Sequence, residues 1–134
     1  MTGQEVNGDM RLLFLILALA LATPEESPLV FDRTVCDFGK VRMSDGPLEC
    51  VFTVTNTGNE PLLIQAVVSS CGCTHVSWTR TPVAPGEKGE IKATYSNDEG
   101  PYPFDKTLTV YTSGAKRPSI LHIRGVVISS KKGK

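Results

Sequence analysis

The sequence has no surplus of charge: 14 Lys and Arg offset 14 Asp and Glu over 134 residues. Without a broad basic field, non-specific nucleic-acid binding is excluded. A polybasic membrane-surface protein is disfavoured too, although Lys131, Lys132 and Lys134 make a small basic tail. After residue 23 no window carries a 3.6-residue apolar period, so amphipathic helices are missing. No Ser sits in a Gly-x-Ser-x-Gly elbow, and no Gly-rich loop opens a helix. The two His residues, His75 and His122, lie far apart, and His122 falls on the outward face of a strand. Paired acids such as Glu25-Glu26 and Asp98-Glu99 fall in flexible or turn segments, where solvated charge is the ordinary state. These absences all point away from an enzyme.

No apolar run is long enough to span a bilayer. The longest, Leu12 to Ala22, would rise roughly 16 Å as a helix, about half of a hydrocarbon core of roughly 30 Å. Arg11 precedes it, Ala20-Leu21-Ala22 closes it, and Thr23-Pro24-Glu25-Glu26 follows. A basic flank, a short apolar core and a small-x-small exit predict a cleavable signal peptide over residues 1–22. Met10 is an alternative start, because Met10-Arg11 is the more usual opening. No Cys stands at the exit, which argues against a lipid-anchored product. Cleavage would remove Arg11 from the basic total and Glu5 and Asp9 from the acidic one. It leaves 13 basic and 12 acidic residues from the original 14 of each. The expected location is the periplasm or the extracellular space, with no transmembrane segment after cleavage. Residues 23–28 read as a linker, 29–129 as the folded domain and 130–134 as the basic tail.

What is abundant is turn chemistry and a period of two. Nine Pro and twelve Gly punctuate the chain. Leu48, Cys50, Phe52 and Val54 alternate with Glu49, Val51, Thr53 and Thr55, the pattern of a half-buried strand. Ile91, Ala93 and Tyr95, then Leu108 and Val110, then Leu121 and Ile123 repeat it. Gly and Pro clusters at 44–47, 56–61, 82–87 and 97–101 separate these runs. Strands are predicted near 29–34, 36–42, 48–56, 61–69, 74–79, 89–96, 104–113 and 119–129, the first two readable as one broken strand. Short strands at this spacing predict an all-β sandwich of about seven antiparallel strands. Its core would be Phe31, Phe38, Phe52, Val54, Leu62, Ile64, Val67, Trp78, Ile91, Tyr95, Leu108, Val110, Leu121 and Ile123. Asn56, beside Thr57-Gly58, suits a strand end, because an Asn side chain can bond backbone two residues on. Pro85-Gly86 suits the centre of a type II turn.

Five ordered motifs carry a resemblance: Asp37-Phe38-Gly39-Lys40-Val41, Phe52 to Gly58, Pro61-Leu62-Leu63-Ile64, Ser70-Cys71-Gly72-Cys73-Thr74 and Pro85 to Ile91. Over about residues 29–128 the chain closely resembles the bacterial domain-of-unknown-function family 1573. Those are secreted modules related in shape to the major sperm protein and pilus-chaperone sandwiches. The resemblance implies an Ig-like fold and extracytoplasmic placement, and it brings no established activity.

One stretch has reactive potential: Cys71-Gly72-Cys73-Thr74-His75. Thiolate and imidazole suit Cu or Zn, and in an extended segment residues 71, 73 and 75 would share one face. A Cys71–Cys73 bridge is an alternative, easily reduced because its ring is short. A third reading is structural, with the pair marking a tight crossing between sheets. As the family's pattern is known, Cys71, Gly72, Cys73 and Thr74 belong to it and His75 does not. Four Cys allow three connectivities. If residues 36–42 and 48–56 form a hairpin turning near Asp45, Cys50 falls opposite Lys40, leaving Cys36 about 13 Å along the strand. A disulfide needs Cα atoms within about 7 Å, so a Cys36–Cys50 bridge would require a bulge or another register. The common Ig bridge is absent, since Thr107 to Ser113 contains no Cys.

Two functions fit these residues. One is a non-catalytic Ig-like module, a monomer with no cofactor, serving a structural role or binding a protein or cell-envelope partner. The other is a thiol-redox or copper-handling protein using Cys71 and Cys73.

Overall fold

A computed structural model describes residues 28–129. The predicted signal peptide, the linker except Pro28, and the basic tail lie outside the described residues. Eight strands form where apolar and polar residues alternate: β1 Leu29–Phe31, β2 Val35–Arg42, β3 Leu48–Asn56, β4 Ile64–Ser69, β5 Thr74–Trp78, β6 Lys88–Tyr95, β7 Pro103–Thr112 and β8 Ser119–Ile128. They build two four-stranded sheets, ordered β1-β3-β6-β5 and β2-β8-β7-β4. The inner faces meet as in other sandwiches. In the first sheet Cys50 lies opposite Ala93 and Phe52 opposite Ile91. In the second, Val67 faces Val110 and Leu108 faces Leu121. Phe52, Val54, Ile91, Leu108, Leu121 and Ile123 lose essentially all contact with solvent.

Most of the predicted core is buried, while Phe31, Phe38 and Trp78 pack at its margin. Trp78 is capped by Arg80, whose guanidinium carbon stands 3.8 Å from the ring centroid. Leu29, Val83, Ala93, Phe104, Val127, Cys36 and Cys50 complete the buried set. Phe104 stacks on Tyr95 with centroids 4.1 Å apart.

Two features depart from the predicted arrangement. The first predicted strand region is two strands in different sheets: β1 pairs with β3, and β2 pairs with β8. Residues 32–34 carry the chain across the sandwich edge, where Asp32 N–H donates to Thr53 C=O at 2.9 Å. The β2–β8 pair is parallel, so the sandwich is not antiparallel throughout. The second departure follows from the first. β2 and β3 are no hairpin, because the 3-10 turn Met43–Asp45 leads the chain from one sheet to the other. Cys36 therefore faces Cys50 across the sandwich, and they form a disulfide with Cα atoms 6.7 Å apart. The 13 Å reckoning holds only for strands side by side in one sheet. Alternation tells a residue which face it takes and is silent on which sheet its strand joins.

Candidate functional site

The Cys71-Gly72-Cys73-Thr74 stretch connects β4, on the edge of one sheet, to β5, on the edge of the other. It has to turn tightly because both edges lie on the same side of the sandwich. Ser70 stays tied to β7: its N–H donates to Thr107 C=O at 2.9 Å, and its Oγ accepts from Thr107 N–H at 3.0 Å. Cys73 is tied to β6, its C=O accepting from Ser96 N–H at 2.9 Å. Between these anchors Thr74 N–H donates to Cys71 C=O at 3.2 Å, and Ser69 Oγ donates to the same carbonyl at 3.0 Å. Cys71 and Cys73 are joined by a disulfide with Cα atoms 5.1 Å apart. Both are half-buried, whereas Thr74 is buried at the start of β5.

Because residues 71–73 turn instead of running extended, His75 is not brought to the pair. It lies on β5 next to buried Thr74, so alternation sends it to the opposite, exposed face. The three-residue ligand set Cys71, Cys73 and His75 predicted for Cu or Zn is therefore not assembled. Among the described residues, the ligand-type atoms gathered within 4.8 Å of one another belong to Cys71, Cys73 and Glu99.

Glu99 comes from the β6–β7 loop, whose path is fixed by buried Asn97. That residue takes a left-handed φ of 60°, a conformation Asn tolerates better than most residues. Its Nδ2 donates to Arg42 C=O at 2.8 Å and Gly46 C=O at 2.9 Å. The loop carries Glu99 back over the turn. Glu99 Oε1 accepts from Tyr95 Oη at 2.8 Å and from Lys106 Nζ at 3.0 Å. Its other oxygen, Oε2, lies 3.8 Å from Cys71 Sγ. Tyr95 donation, with Lys106 second, holds the Glu99 carboxyl below its ordinary range. Burial, seconded by the same Glu99 bond, pushes the Tyr95 phenol up to about 12. Cys71 Sγ also accepts from Cys73 N–H at 3.0 Å. The arrangement is an accessible disulfide flanked by one carboxylate, one ammonium and one phenol. Sequence reading missed Tyr95, Glu99 and Lys106 as a group. Asp98-Glu99 looked like solvated turn charge, and only the Thr74–Tyr95 register places that turn beside the cysteines.

The remaining motif residues stand apart from this cluster. Asn56 is fully buried. Its Nδ2 donates to Glu60 C=O at 2.7 Å and Val83 C=O at 2.8 Å, and its Oδ1 accepts from Gly58 N–H at 2.8 Å. Pro85 and Gly86 centre a turn in which Glu87 N–H donates to Ala84 C=O at 2.9 Å, with Gly86 at φ 81°. That geometry is type II. Asn56 and this turn are one assembly, since Gly86 N–H donates to Asn56 C=O at 2.8 Å.

Several solved structures share the fold. A protein of unknown function from Porphyromonas gingivalis W83 is 14% identical over 79% of this chain and 51% of that one, with a TM-score of 0.63. The chain thus spans about half the length of that protein. The Pseudomonas aeruginosa CupB2 chaperone is 16% identical, covering 73% of this chain and 55% of that one, with a TM-score of 0.55. WR4, a member of the C. elegans MSP family, is 12% identical over 76% of this chain and 99% of that one, with a TM-score of 0.52. At such identities the likeness is one of fold. No curated protein matches the sequence. The family model described as "protein of unknown function (DUF1573)" matches residues 29–127, the whole sandwich from β1 almost to the end of β8, and the chain belongs to that family.

Proposed function

We propose that this protein is an exported, non-catalytic Ig-like module that holds a partner polypeptide by strand pairing at the open edge of β5. The observation that carries the reading is the backbone phase of that strand. Among the described residues β5 pairs with β6 alone. Cys73 C=O and Thr79 N–H both bond to the β6 side. His75 and Ser77, in phase with them, face β6, and the N–H and C=O of Val76 face away from the sheet. An unpaired edge is a template for another strand. The likeness in shape to a chaperone agrees with a polypeptide-binding role. Export is supported by the apolar run after Arg11 and by two disulfides, which persist in oxidising compartments. No helix among the described residues is long and apolar enough to cross a membrane.

The test is site-specific photocrosslinking at exposed Ser77 in cells, with and without Val76→Pro. Proline at 76 removes the outward donor and leaves the β6 ladder intact. One discrete adduct, lost with Val76→Pro on a protein whose N-terminus is Thr23, is the expected result. An adduct unchanged by Val76→Pro, or a chain still carrying residues 12–22, would overturn the reading.

A further inference from the structure

We propose that Cys71–Cys73 is a thiol–disulfide exchange site that oxidises the dithiol of a partner, with Glu99 and Lys106 as its positioning residues. This chemistry is stoichiometric, one turnover per chain, and goes beyond the docking role assigned to β5. Three observations carry it. First, the turn is held without the bridge: Ser69, Ser70 and Ser96 already bond its backbone to both sheets. Second, the site is open. Both cysteines are part-exposed, and a Cβ placed on exposed Gly72 between them would meet nothing within 4 Å, while Cys73 also packs against the core. Third, the polar groups are matched to the reduced form. Tyr95 and Lys106 both occupy Oε1 of Glu99 and leave Oε2 facing Cys71 Sγ.

The exchange runs in two displacements. A thiolate of the partner attacks Cys73 Sγ; the new S–S bond forms as the Cys71–Cys73 bond breaks, and the electron pair moves to Cys71 Sγ. The Cys73 N–H already donates to that sulfur. Cys71 takes up a proton from solvent and, as a thiol, donates to Glu99 Oε2. The partner's second thiolate then attacks the partner sulfur of the mixed disulfide, and Cys73 leaves as a thiolate that is protonated in turn. The partner dithiol loses two electrons and the Cys71–Cys73 pair gains them. The S–H bond to Glu99 exists only once Cys71 is reduced, so it favours the reduced pair, while the same carboxylate disfavours the Cys71 thiolate. Among the described residues Glu99 from the β6–β7 loop faces Cys71, and Tyr95 from β6, Lys106 from β7 and Asp98 from the same loop act on that carboxylate.

The test incubates the intact protein with a reduced dithiol peptide and with graded glutathione buffers, reading each cysteine by alkylation and mass spectrometry. The expected result is oxidation of the peptide and a Cys71–Cys73 pair reduced by at least tenfold less glutathione than Cys36–Cys50. Replacing Cys71 and Cys73 together by Ser abolishes peptide oxidation. Glu99→Gln, an exposed change that leaves the fold intact, moves the pH profile of Cys71 alkylation to lower pH. Peptide oxidation that survives loss of both cysteines, a pair no easier to reduce than Cys36–Cys50, or an alkylation profile unmoved by Glu99→Gln would overturn the proposal.

Discussion

The two disulfides divide the molecule into two kinds of region. Cys36–Cys50 joins β2 to β3 across the sandwich; both residues are over nine-tenths buried, and the bridge spans 14 positions of sequence. Cys71–Cys73 spans 2 positions inside a solvent-facing turn. Cross-linking stabilises mainly by restricting the unfolded chain, so the longer loop contributes more. The first bridge is part of the core, with Phe52 and Ile123 for company. The second constrains almost nothing that hydrogen bonds do not already hold. Identical covalent chemistry thus does different work in the two places, and location decides which.

Removing each bridge in turn is the largest test of that contrast. Cys36→Ala with Cys50→Ala should cost about 3 kcal/mol, the chain-entropy value for a 15-residue loop. Cys71→Ala with Cys73→Ala should cost roughly 1.5 kcal/mol on the same scaling. Urea denaturation of both double variants reads the difference, and equal losses would erase the distinction.

A smaller effect sharpens it from the side of the turn. Burial and the Glu99 bond push the Tyr95 phenol up to about 12, above an ordinary value near 10. The folded state therefore holds this proton more tightly than the unfolded state does. Its stabilising contribution is fully present below pH 10 and is lost as pH rises from about 10 to about 12. Tyr95→Phe removes that dependence, so stability against pH should be flatter than in the parent across the window. Parallel curves would show that the phenol is not coupled to folding. The smallest effect concerns Gly72. With open space at its Cβ, Gly72→Ala should change stability by no more than about 0.5 kcal/mol in thermal melts. A larger loss would mean that the turn is more tightly built than its neighbours indicate.

Most of the sandwich was legible in the alternation of apolar residues and in the turn clusters, because those patterns reflect local sterics. Phe52 faces inward for the reason its neighbours Cys50 and Val54 do. Non-local choices were not legible. Nothing in Val35 to Arg42 signals that the strand joins β8 in parallel instead of β3, and that one choice decides whether Cys36 can reach Cys50. The reactive turn was recognisable from its two cysteines. Its partners were not, since Glu99 reaches Cys71 only through a loop pinned by Asn97 to carbonyls of the turn after β2. His75 is separated from the pair for the opposite reason: alternation implies an extended run through residues 71–75, and the chain turns there before β5 begins at Thr74.

The pairing of β2 with β8 has a consequence in time. A chain made or threaded N-terminus first presents β2 early, yet its sheet neighbour comes last, with Cys36 beside Ile123. Topologies dominated by such distant contacts fold slowly, and an edge that waits for its partner is open to mispairing meanwhile. Cys50, by contrast, arrives soon after Cys36. Oxidation at that point would tether β2 over β3 ahead of the second sheet and keep the waiting strand close to the place where β8 docks.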